Sequence, residues 1–364
     1  MCDEEQTIDQ LEDEAANADE TAHVPPSDIV AFNELRSCAD LYRMHNQKIL
    51  DLQPEFQRDV VWRPSDQTRF IDSLIKQLPI PSMCFAMDYK AQRWIVIDGL
   101  QRISTIVKFL DGGDWTLSAL DDIDPDLAGR SVAAIKTATD QMHNYYTRVE
   151  NLTIPITVLR CDFTKKDHMH YLFTIFHRLN TGGVKLNNQE IRNCIYGGKL
   201  NNLLKELDVF SSWRHLNRMK PGEGYRFTKQ EIILRFFSFY DRAAIYQGNL
   251  AGFMNEYMQD NKNPTDQYLA EKRRLFERTA KCIDEKVFGA APPSKLSLTV
   301  VEGVLYGVSK NIDKLEAAPL GDPKKRFDEL LAHPDYSESA LREGLAKKPR
   351  VLARLATAES IFAR

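Results

Sequence analysis

The stretch Trp94–Gly113, WIVIDGLQRISTIVKFLDGG, constrains the chain most. Trp94 to Ile97 is a β-branched apolar run that predicts a buried strand. Asp98-Gly99 breaks it as a turn. Ile103, Ile106, Val107 and Leu110 then repeat at i, i+3, i+4 and i+7, one face of a helix that Gly112-Gly113 stops. A helix N-terminus presents unpaired N–H groups and the positive end of the dipole, so it attracts an anion. Gly99 would let a ligand approach the backbone, and Arg102 offers a fork of donors for phosphate oxygens. The stretch outlines a phosphate site. It has neither a Walker lysine nor GxGxxG spacing, so neither common nucleotide fold is indicated.

With 364 residues, 43% of them hydrophobic, the chain can bury a large core and is expected to form two subdomains. No apolar run approaches the roughly 20 residues that span a bilayer, and the acidic start lacks the features of a secretory signal. The six cysteines are scattered without a CxxC pair, which suits a reducing cytoplasm. A cytoplasmic protein without membrane attachment is the expectation. The net charge of −4 conceals an asymmetry. Nine acidic residues and no Lys or Arg precede Asp28, leaving 43 acidic against 48 basic side chains elsewhere. Residues 1–27 are expected to be a disordered, solvating leader.

Asp28 to Asn46 reads as a strand and a helix, with Ser37 or Asp40 as caps. Pro64-Ser65-Asp66 opens a helix carrying Phe70, Ile71, Leu74, Ile75 and Leu78, which Pro79 and Pro81 end. Ser82–Met87 and Leu152–Cys161 read as strands, and 113–151 as a polar helical insert. From Lys165 onward the period is helical. Met169, Leu172, Phe173, Phe176 and Leu179 form one stripe, Asn187-x-x-Glu190 is a capping box, and Thr228-x-x-Glu231 opens a long helix. Further helices are expected around 249–261, 265–287, 295–313, 322–332 and 338–362. The fold class is α+β over 28–164, with a small mixed sheet, and all-α over 165–364.

Three segments, LQPEFQRDVVWRPSDQTRFIDSLIKQLPIP, IVIDGLQRISTIVKFLDG and FTIFHRLNTGGVKLNNQEIRNCIY, occur in the order and spacing of one family. Together they resemble the N-terminal domain of GmrSD-type restriction enzymes, which is related to the ParB and sulfiredoxin-like fold. The resemblance implies a domain that binds and hydrolyses a nucleoside triphosphate with Mg²⁺ and regulates cleavage of foreign or modified DNA. It does not distinguish GTP, ATP and UTP. The family's Asp-Gly-Gln-Gln-Arg signature is matched by Asp98, Gly99, Gln101 and Arg102, and Thr105 matches a small hydroxyl after it. Leu100 stands where the family has its first Gln, which implies weakened hydrolysis if that Gln orients water or phosphate. Full-length members carry an HNH nuclease domain. After Tyr196 this chain has only His215 and His333, far apart, so cleavage is expected from a separate nuclease partner. No Cys sits in the motif, which argues against sulfiredoxin chemistry.

The resemblance assigns catalysis to Asp98, Gln101 and Arg102, with Asp98 holding Mg²⁺ or a ribose hydroxyl rather than serving as a turn Asp. Gln57 and Arg58 would close the pocket from the other side, or Arg58 would pair with Glu55 or Asp59. Gly99, Leu100, Thr105, Arg178, Asn180, Thr181, Gly182 and Arg192 complete the phosphate-binding candidates. Arg178 to Gly182 read equally as a helix C-cap, and Glu190 as a cap. His168 and His170 point to different sides of a helix, so His168, His170 and His177 read as core or solvent histidines. Arg214, Arg218, Lys220 and Arg226, interleaved with Trp213, Tyr225 and Phe227, form a possible DNA-backbone track or a solvated loop. The basic residues of 271–281 read as a wet helix face. A DNA-gripping module without enzymatic activity, a ParB-like nicking nuclease and a homo-oligomer are the other possibilities.

Overall fold

The computed structural model describes residues 25–52, 62–179, 186–217, 228–289, 296–337, 340 and 345–364. The acidic stretch before Pro25 is outside these, as are Gln57, Arg58, Asn180, Thr181, Gly182, Arg218, Lys220 and Arg226. The described chain forms two compact units that divide between Leu186 and Asn187.

The first unit is built on a five-stranded mixed sheet of order β1-β5-β3-β4-β2. Its strands are β1 Val30–Ser37, β2 Leu50–Asp51, β3 Met83–Asp88, β4 Arg93–Asp98 and β5 Thr153–Cys161. β1 and β5 pair antiparallel, β3 and β5 parallel, β3 and β4 antiparallel, and β2 and β4 parallel. The helices are α1 Cys38–Asn46, α2 Pro64–Ile75, α3 Leu100–Asp111, α4 Val132–Thr137, α5 Gln141–Asn151 and α6 Lys166–Leu179.

α1 starts where expected because the Ser37 hydroxyl accepts the Asp40 N–H at 3.1 Å. α2 ends at Ile75, short of Pro79, and Leu78 lies exposed beyond it. The core of the unit includes Leu41, Ile71, Leu74, Ile103, Ile106, Phe109, Ile156 and Val158. Each such side chain contributes roughly 1.5–3 kcal/mol by leaving water. The polar insert is anchored through Tyr146, which stacks on Phe109 and donates its hydroxyl to the Leu110 carbonyl at 2.9 Å. α6 buries Met169, Leu172, Phe173 and Phe176 and packs on β4, which places it in the unit of the sheet. Its histidine His168 is fully buried. Nδ1 accepts the Asp162 N–H at 3.0 Å and Nε2 donates to Asp28 at 2.8 Å.

The second unit is helical: α7 Asn188–Ile195, α8 Lys199–Asp208, α9 Ser211–Leu216, α10 Thr228–Arg242, α11 Leu250–Asp260 and α12 Asp266–Cys282, then α13 Leu298–Lys310, α14 Ile312–Ala317, α15 Asp322–Ala332 and α16 Lys348–Ala363. α12 runs on as a π-helical segment, Ile283–Phe288. α7 opens with the expected capping box: Asn187 Oδ1 accepts the Glu190 N–H, and Glu190 Oε2 accepts the Asn187 N–H at 2.6 Å. α13 can lie close along α16 because Gly307 has no Cβ. One placed there would sit 2.6 Å from the Ala358 carbonyl oxygen.

Two expectations are corrected here. Lys272 is not on a wet face: it is 7% exposed, pairs with Asp241 and lies 5.1 Å from the Tyr240 ring and 5.2 Å from that of Tyr268. The alkyl stem and ammonium of this lysine satisfy an aromatic cluster that local charge counting does not register. Trp213 is fully buried against Phe276, so its ring is not available to stack on a base.

Candidate functional site at the turn from β4 to α3

β4 delivers Asp98 to the edge of the core, and the chain turns at Gly99 with φ +97° before α3 begins. This left-handed conformation favours glycine because a Cβ crowds the following carbonyl. A second reason is steric: a Cβ on Gly99 would lie 2.6 Å from Met83 Cγ. The space beside the Gly99 α-carbon is therefore taken by Met83, not left open for a ligand as the sequence suggested. The register also shifts here, with Cys84 opposite Asp98 but Phe85 opposite Val96, a bulge that re-aims the end of β4.

Arg102 closes the turn. Nη2 donates to Asp98 Oδ2 at 2.7 Å, and Nη1 donates to the Pro81 carbonyl at 2.5 Å. The Arg102 side chain is 15% exposed and that of Asp98 45%. The pair thus stands at the rim of the unit with one partner half in water. The first intrahelical bond runs from Ile103 N–H to the Gly99 carbonyl, so the Leu100, Gln101 and Arg102 amides have no intrahelical acceptor. Gln101 Oε1 accepts the Trp62 N–H at 3.0 Å, which ties the start of α3 to the residues that lead into α2. Trp62 packs edge-on against Phe70, as a core residue does.

The other candidates divide clearly. Leu100 leans onto the hydrophobic core, which explains an apolar side chain at that position. Thr105 is buried and donates its hydroxyl to the Gln101 carbonyl at 2.7 Å, an in-helix bond that turns it away from the helix start. Arg178 is exposed in the last turn of α6. Arg192 belongs to the other unit and is fully buried there. It donates to Asn255 at 2.8 Å and to Glu231 at 3.0 Å, a structural network rather than a phosphate clamp. Arg214 donates Nε to the Asp208 carbonyl at 3.1 Å. Cys84, opposite Asp98, has its thiol pushed up to about 12 by burial and by the Asp98 charge, so it stays protonated and poorly nucleophilic. Sequence reasoning missed Pro81, Met83 and the Trp62 amide because no local pattern links them to the motif.

Residues 38–197 match the family described as GmrSD restriction endonuclease, N-terminal domain. The match runs from the first residue of α1 to just beyond α7 and covers less than half of the chain. It includes the whole turn with Asp98, Gly99, Gln101 and Arg102. No curated protein matches the chain. Among the described residues no helix is long and apolar enough to cross a membrane.

Proposed function

We propose that this chain is an NTP-binding and NTP-hydrolysing regulatory protein of a DNA restriction or anti-phage defence system, in which a separate nuclease cuts the DNA. The observation that carries the reading is the Asp98–Arg102 pair at a helix start, set across a left-handed glycine inside a GmrSD N-terminal domain. Arg102 Nε takes no bond among the described residues and is a donor for phosphate oxygens, alongside the amides of the first turn of α3. Exchange of the half-exposed Asp98 carboxylate for a phosphate would leave the Pro81 anchor in place and keep the guanidinium aimed.

One carboxylate beside phosphate oxygens is a donor set that suits Mg²⁺, and Asp98 is the residue that would hold it. Bound there, the ion would neutralise charge building up on the phosphate oxygens. Gln101, fixed by the Trp62 amide, would present its carboxamide to the attacking water. Water adds to the γ-phosphorus, the bond to the β,γ-bridging oxygen breaks, and the diphosphate and phosphate leave. Arg58 and Gln57, on the segment that ends at Trp62, are the proposed second wall.

Phosphate release from the purified chain with each NTP and Mg²⁺ tests this. Wild type turns over at least one NTP, Arg102→Ala loses at least tenfold, and Leu100→Gln gains. Absence of both turnover and NTP binding in wild type removes the enzyme reading. DNA binding that weakens steeply with salt would then favour the backbone-gripping module.

A further inference from the structure

We propose that two copies of this chain join along β1, antiparallel about Leu35, so that their five-stranded sheets run on as one. This goes beyond the nucleotide reading and does not rest on it, because Asp98 stands on β4, three strands in from that edge.

The two edges of the sheet are built differently. β2 closes one of them with only two residues, Leu50–Asp51, too short to recruit another strand. β1 forms the other over eight residues, in unbroken register with β5. Natural sheets blunt a long edge with proline, lysine or a bulge, and β1 has none of these. It carries exposed apolar side chains instead, Val30, Phe32 and, at 68% exposure, Leu35.

The free edge has its own row of donors and acceptors. Cys38 donates its N–H to the Leu152 carbonyl at 2.9 Å, which continues the β1–β5 ladder by one pair. Facing residues of an antiparallel ladder alternate between exchanging both bonds and exchanging none. The backbone groups of Arg36, Glu34, Phe32 and Val30 therefore point at β5, and those of Ser37, Leu35, Asn33 and Ala31 point out of the sheet. Pro155 agrees with this phase: it stands opposite Leu35 and has no N–H to give. Among the described residues no strand takes the outward groups.

The occupant is a second β1 because the strand complements itself. A two-fold axis through Leu35 pairs its outward groups with those of Leu35 in the other copy, and those of Asn33 with Ser37, each pair exchanging both bonds. The same register sets Glu34 of each copy opposite Arg36 of the other and buries the two leucines against one another. A register centred on Glu34 would oppose like carboxylates, and one centred on Asn33 would leave Glu34 and Arg36 facing Phe32 and Val30. The chain's own residues 1–24 suit the edge poorly: nine of them are acidic, and Asp and Glu are depleted in strands.

Sedimentation equilibrium of the full chain over a concentration series tests this, and wild type is expected as a reversible dimer. Asn33→Pro removes an outward N–H from each copy, spares the β1–β5 ladder and raises the dimer dissociation constant at least about tenfold. Leu35→Lys, at an exposed position, sets two ammoniums against each other and weakens the dimer similarly. Arg102→Ala leaves the dimer intact, which keeps this edge apart from the turn. In a Cys2→Ser background, Leu35→Cys forms an intermolecular disulfide under a mild oxidant and Asn33→Cys does not, since only residue 35 meets its own copy within bridging distance. A wild type that stays monomeric throughout the series overturns the proposal, as does a dimer that both Asn33→Pro and Leu35→Lys leave unchanged. A disulfide in Asn33→Cys but not in Leu35→Cys overturns the Leu35 register. A chain that dimerises only after removal of residues 1–24 also overturns it, because its own leader would then be what covers the edge.

Discussion

Arg102 and Arg192 are both arginines of the matched segment, and the two units treat them in opposite ways. Arg102 finds Asp98 four residues away and the Pro81 carbonyl beyond it, with its carboxylate partner half in water. Arg192 has no exposed surface, and its partners Glu231 and Asn255 lie 39 and 63 residues further along the chain. The first arrangement leaves a charge that a ligand can take over at small cost. The second can be disturbed only by breaking a buried network of charges and donors. A rim arginine serves recognition, and a core arginine serves the packing of its own helices.

The largest effect that would separate them is on stability. Arg192→Ala takes from Glu231 one of its two guanidinium partners, leaves Asn255 without its donor and breaks a buried network, so it should destabilise the chain by about 3–5 kcal/mol. Arg102→Ala should cost no more than about 1 kcal/mol, since its ion pair is partly solvated. Urea unfolding of both variants measures this, and equal losses would break the comparison. Next comes the turn itself. Gly99→Ala places a Cβ against Met83 and forces a left-handed alanine, for about 2–3 kcal/mol. Pairing it with Met83→Ala should recover the steric part and leave the backbone part, which a double-mutant cycle reads directly.

The smallest effect is the pH dependence of another half-exposed carboxylate. The Lys165 ammonium, then the His168 ring, hold the Asp28 carboxyl down at about 2, below its ordinary 3.8. A carboxylate whose folded value is depressed stabilises the fold fully above its unfolded value and loses that contribution as the pH falls through the folded one. Asp28→Asn should therefore be less stable than wild type at pH 6, with the gap closing between about pH 4 and pH 2. Unfolding midpoints of the two proteins across that range check it, and a gap that stays constant would show that Asp28 acts through shape rather than charge.

Several parts of this fold are legible in short windows of sequence. The Ser37 cap, the Asn187/Glu190 capping box and the helical face of Ile103, Ile106 and Leu110 each involve residues within a turn or two of one another. The Asp98–Arg102 pair is legible for the same reason. Other features left only a faint trace. Arg235 interrupts the apolar run Ile232–Phe239, with Glu231 four residues before it, and such a charge within a buried stripe signals a paired or functional core group. The reading of 271–281 as a wet face failed because Lys272 looks like its neighbours until Asp241 and the tyrosine rings close on it.

The sequence by itself determined the strand, the glycine turn and the helix that together present Asp98, Gln101 and Arg102. Those depend on periodicity and on dihedral preference, which act over a few residues. Only the tertiary structure decided that Met83 covers Gly99, that the Trp62 amide holds Gln101, that β1 lies beside β5, and that Lys272 is buried against Asp241. Each of these joins segments brought together by burial of apolar surface and closure of the sheet. That energy is nearly indifferent to which polar groups end up as neighbours, so no local pattern encodes them.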